Sequence, residues 1–64
     1  MIKKLWTIVS DVAGYPLIVV GKDEMEAARN YKAHIAEAYS DGEIILRPRD
    51  IMINTIIRGK AVLV

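Results

Sequence analysis

The sequence predicts a small α+β domain: an antiparallel sheet of four to five strands in ββαβββ order, with one amphipathic helix packed on one face. Three observations carry this prediction. Two short runs near the start are dominated by β-branched and aromatic residues. An alanine-rich segment with an acidic opening follows them. The last third is rich in isoleucine and punctuated by single Pro and Gly residues.

The first strand is expected over residues 4–10, Lys-Leu-Trp-Thr-Ile-Val-Ser, where Leu5 and Thr7 alternate with Trp6 and Ile8. Asp11-Val12-Ala13-Gly14-Tyr15-Pro16 reads as a connection, because Asp and Gly form turns and Pro16 has no N–H for a ladder. Leu17-Ile18-Val19-Val20 is a second strand, apolar on both faces. A helix follows. Asp23 is a good N-cap and Glu26 stands at capping-box spacing. Ala27, Ala28, Ala33, Ala36 and Ala38 favour helix. At about 100° per residue, Met25, Ala28, Tyr31, Ile35 and Tyr39 form one apolar stripe opposite Glu26, Asn30 and Glu37. Ser40-Asp41-Gly42 ends the helix, with Gly42 expected as a left-handed cap.

Glu43-Ile44-Ile45-Leu46 is expected as a short strand, interrupted by Arg47-Pro48-Arg49-Asp50. Ile51–Ile57 is read as the next strand, and Gly59-Lys60 as a turn into a last one at Ala61–Val64. The rival reading makes residues 48–58 a helix, with Pro48 in its first turn and Gly59 beyond its end. Four Ile in the seven positions 51–57 oppose it, because β-branched side chains lose rotamer freedom in a helix.

Composition narrows the function. The chain has 64 residues, no Cys and a net charge of +1. At 7.2 kDa it is a single domain, residues 1–64. A disulfide scaffold, a cysteine zinc site and a thiol nucleophile are excluded. A charge of +1 is too small to drive nucleic-acid backbone binding alone. The apolar run from Leu5 to Val9 already holds Thr7 and ends at Ser10-Asp11 without a cleavage site, so a cytoplasmic chain with an N-terminal strand is expected and no membrane segment.

Catalytic residues are few. His34 is the only histidine, and no spacing links it to Ser10, Ser40, Thr7 or Thr55. Asp23, Glu24 and Glu26 are explained by the helix start. Gly14, Gly21, Gly42 and Gly59 stand singly, so no phosphate-binding fingerprint exists. The expectation is a non-enzymatic protein with no cofactor and no metal. Basic residues concentrate late: Arg47, Arg49, Arg58 and Lys60 against Glu43 and Asp50 make residues 43–64 locally +2, while residues 1–42 sum to −1. Arginine forks suit phosphate and carboxylate.

Size adds a constraint. Ordering this chain costs on the order of 100 kcal/mol, at about 1.5 kcal/mol per residue. One helix covers only one face of the sheet, so the other face should bury itself against a second copy. The expected function is therefore a homo-oligomeric protein-interaction module that meets an unknown protein partner through Trp6, Tyr15 and exposed apolar neighbours. Its size and its cysteine-free, Ile-rich character resemble small proteins of phages and mobile elements, which often bind a host protein. The alternative is an oligomeric nucleic-acid- or phosphorylated-ligand-binding protein using Arg47, Arg49, Arg58 and Lys60.

Overall fold

The computed structural model describes residues 3–59. Their order is β1 (Lys4–Ser10), β2 (Leu17–Gly21), α1 (Glu24–Tyr39), a single 3₁₀ turn (Pro48–Asp50) and β3 (Ile53–Arg58). The fold is α+β, with a three-stranded antiparallel sheet in the order β2-β1-β3 and the helix on one face. The first two strands and the helix lie where local propensity places them.

β1 is central. Its alternate residues Trp6, Ile8 and Ser10 share the helix side with Leu17 and Val19 of β2 and with Ile53 and Ile56 of β3. Ile8, Ala27, Tyr31 and Ile35 are fully or almost fully buried between the layers, with Ala13, Ala36 and Ile51 completing the core. Tyr31 keeps its hydroxyl satisfied there by donating to Ser10 Oγ at 2.8 Å, and Ser10 Oγ also accepts the Ala13 N–H at 3.2 Å. A buried hydroxyl without such a partner would cost about 1–3 kcal/mol.

The helix begins as the capping signature requires. Asp23 is extended (φ −148°), and its carboxylate accepts the Glu26 N–H at 2.8 Å. Glu26 reaches back to the Lys22 N–H at 3.0 Å and also holds Lys3 Nζ at 3.3 Å. Asp23→Ala should therefore lower stability by about 0.5–2 kcal/mol in denaturant melts, and an unchanged midpoint would remove the cap assignment.

Several expectations are corrected. The buried helix face is Ala27, Tyr31, Ile35 and Ala36, and Met25 is 72% exposed. Alanine over Gly21 sets this rotation, because the helix approaches the sheet where neither side carries bulk. Gly42 does not take a left-handed conformation; Gly59, at φ +100°, is the only described residue that does. Ser40 ends the helix instead, in extended geometry, with its hydroxyl donating to the Ala36 carbonyl at 2.6 Å.

Residues 44–46 form no strand. The Asp41 carboxylate accepts the N–H groups of Glu43 and Ile44, both at 2.7 Å, and Ser40 Oγ accepts that of Leu46 at 2.7 Å. Local side-chain bonds thus take the donors that a ladder would use. The helix alternative over residues 48–58 is also overturned, since only Pro48–Asp50 turns and β3 follows. The sheet consequently has three strands among the described residues, not four or five in ββαβββ order; the expected strand at Ala61–Val64 lies outside them.

β3 itself starts two residues later than expected, at Ile53. Ile51 drops into the core, and the backbone of Met52 is tied to Asp11: its carbonyl accepts the Asp11 N–H at 3.0 Å and its N–H donates to the Asp11 carboxylate at 3.0 Å. The register steps from Val9–Thr55 to Ser10–Ile53, leaving Asn54 as a bulge. That extra residue turns both Ile53 and Ile56 toward the helix, although they are three apart.

Candidate interaction surfaces

Strand alternation sends the other residues to the side away from the helix. Leu5, Thr7 and Val9 of β1 lie there, with Ile18 and Val20 of β2 and Thr55 and Ile57 of β3. Ile18 and Ile57 flank Thr7 in one row, and Val20 stands beside Leu5 in the next. Leu5, Val20, Ile18 and Ile57 are 42–57% exposed. Thr7 is buried at the centre and its hydroxyl donates to the Gly59 carbonyl. No described element covers these side chains. The edge of β2 is partly closed, because Asn30 Nδ2 donates to the Val20 carbonyl at 2.8 Å.

A second group of exposed apolar residues gathers at the Ser10 end of the sheet. Tyr15 comes from the β1–β2 connection, Tyr39 from the helix end, and Ile44, Ile45 and Met52 from the α1–β3 connection. Hydrogen bonds tie much of this end together. The hydroxyls of Tyr15 and Tyr39 are 2.6 Å apart, Ser40 and Asp41 pin the loop that carries Ile44 and Ile45, and Asp11 pins Met52.

The residues named from sequence fall in different places. Tyr15 is exposed at this loop end. Trp6 is half-buried on the helix side and its indole N–H donates to the Gly21 carbonyl at 3.0 Å. Arg47 is occupied by Asp50, with Nε at 3.1 Å and Nη2 at 3.4 Å from its carboxylate. Arg49 is exposed and joins no ion pair among the described residues. Arg58 ends β3 opposite Trp6, with the whole of that strand between it and the turn that carries Arg49. Lys60 lies outside the described residues. The fold therefore does not gather the arginines into one patch. Ile18, Val20 and Ile57 went unnamed as individual site residues; the two-sided apolar character of the strand runs was the signal that could have found them.

Among the described residues, no three His, Asp or Glu side chains converge as metal ligands would. His34 is exposed on the helix. A shallow hollow of about 140 Å³ lies at the helix start, lined by Lys22, Asp23, Met25, Glu26 and Arg29, below the roughly 300–1,000 Å³ of small-molecule pockets. No described helix is long and apolar enough to cross a membrane.

Three carboxylates are held below their ordinary pKa values. The N–H groups of Ile44 and Glu43 do this to Asp41, the Arg47 side chain to Asp50, and the Lys22 N–H, helped by Lys3, to Glu26. Depressed folded-state values mean that the stability they contribute is present above the unfolded values and is lost as pH falls through the folded ones. The denaturation midpoint should therefore drop as pH is lowered below about 4, the ordinary carboxylate range. Asp41→Asn combined with Asp50→Asn should flatten that drop; an identical acid profile in the double variant would disprove the assignment.

Compared with protein-family models, with curated proteins and with solved structures, the chain matches none significantly.

Proposed function

We propose that this protein is a small non-enzymatic interaction module that associates with a second copy of itself through the open face of the sheet. The observation that carries the reading is the contiguous apolar row and its neighbours, Ile18, Ile57, Leu5 and Val20, about half exposed and covered by no other element among the described residues. A two-fold axis over Thr7 would lay one such face on the other in a self-complementary contact, in which each residue that meets a second one on the partner is met by that second one in return. The loop end, with Tyr15 and Tyr39 joined through their hydroxyls and Ile44 and Ile45 on a loop pinned by Ser40 and Asp41, then remains for a different protein partner. A backbone already ordered lowers the entropic cost of such a contact. A nucleic-acid or phosphorylated-ligand site has no comparable support, because Arg47 is occupied and Arg58 stands apart.

Sedimentation equilibrium at micromolar concentration tests the reading. The expected mass is at least twice 7.2 kDa. A monomer at every concentration would overturn it.

A further inference from the structure

We propose that Tyr15 and Tyr39 form an oxidative cross-linking site, at which one-electron oxidation joins the two rings as an intramolecular dityrosine. The site brings together residues 24 apart in sequence, one on the β1–β2 connection and one at the last position of α1. Their hydroxyl oxygens are 2.6 Å apart, so the two rings meet at their phenol ends, and side-chain rotation at these exposed positions can bring the ortho carbons together. Both rings are open to a soluble oxidant, Tyr15 being 52% and Tyr39 39% exposed. The third tyrosine supplies the contrast. Tyr31 is wholly buried, and its hydroxyl is bound to Ser10.

The reaction balances with a peroxidase and hydrogen peroxide as the oxidant. Each phenol loses one electron and one proton and becomes a phenoxyl radical. The two radicals combine through ortho carbons, forming one C–C bond. The hydrogen on each joined carbon then moves to oxygen and restores the aromatic rings. The protein loses two hydrogen atoms, and one peroxide is reduced to two waters. Exposed Met25 and Met52 are open to oxidation as well, but they take up oxygen by a two-electron route and give no dityrosine. The product is a covalent staple between the hairpin connection and the helix end, formed only where an oxidant and a peroxidase meet the protein. The inference stands on the tyrosine geometry and does not depend on self-association.

The test treats the folded protein with a peroxidase and limiting hydrogen peroxide. Dityrosine fluorescence is read together with mass under denaturing conditions and with peptide mapping. The expected result is fluorescence on a chain of unchanged length, two hydrogens lighter, with the peptides of Tyr15 and Tyr39 linked. Tyr15→Phe and Tyr39→Phe should each abolish that species. Arg58→Ala, an exposed control at the opposite end of the sheet, should leave its yield unchanged, and unfolding in denaturant before oxidation should reduce the yield severalfold. Cross-links found only between chains, or an intramolecular link that persists in Tyr15→Phe, would overturn the proposal. So would the absence of any link while free tyrosine in the same mixture is coupled.

Discussion

Gly21→Ala should destabilise the fold by about 3 kcal/mol, at the upper end of what overpacking a tight contact costs. A Cβ at Gly21 would stand 2.7 Å from the Ala27 nitrogen and 2.9 Å from its Cα. Both contacts are backbone atoms in the first turns of α1, so no side-chain rotation relieves them. The helix must lift from β2 instead, or the Gly21 end of β2 must shift and disturb the bond that its carbonyl accepts from Trp6. A domain of this length has a total stability of roughly 3–10 kcal/mol, at 0.05–0.15 kcal/mol per residue, so the loss is a large share. Ala27→Gly should not rescue it, because it removes only the third contact, that of the Ala27 Cβ at 3.1 Å. Denaturant titration of the single and double variants at one protein concentration checks this, the concentration being held because association shifts apparent stability. A Gly21→Ala midpoint equal to wild type would mean that helix and sheet are not in close approach there.

Ile18→Lys combined with Ile57→Lys should convert the associated form to a folded monomer. Both side chains are about half exposed, so each has about 1 kcal/mol of burial still to gain, half of the roughly 1.5–3 kcal/mol for a fully buried aliphatic side chain. Two residues on each of two copies make about 4 kcal/mol, which is roughly a thousandfold in the dissociation constant at about 1.4 kcal/mol per tenfold. The monomer itself should suffer little, because exposed substitutions away from caps and core usually change stability by less than about 0.5 kcal/mol. Sedimentation, with circular dichroism to verify the fold, decides the matter. A double variant that keeps the wild-type mass would show that the sheet face is not the contact.

The two predictions rest on different levels of information. The strands at Lys4–Ser10 and Leu17–Gly21 and the helix start at Asp23 were legible in the chain itself, because alternation, β-branching and a side-chain cap act within a few residues of one another. The excess of apolar side chains over what one helix can cover was legible too, since it follows from composition and element count. The pairing of Gly21 with Ala27 was not legible, because a missing Cβ has meaning only when another backbone arrives opposite it. Residues 44–57 show the same limit. Ile44-Ile45-Leu46 has strand propensity, yet Asp41 takes the Ile44 N–H and Ser40 that of Leu46 at shorter range. Ile53 and Ile56 are spaced as on a helix, and only the bulge at Asn54, set by pairing with β1, lets a strand turn both inward. The same pairing separates Arg58 from Arg47 and Arg49 and lines up Ile18, Thr7 and Ile57 across three strands. Local order is written in neighbouring residues. The surfaces are decided by register, which joins residues from distant parts of the chain and which no short stretch of it encodes.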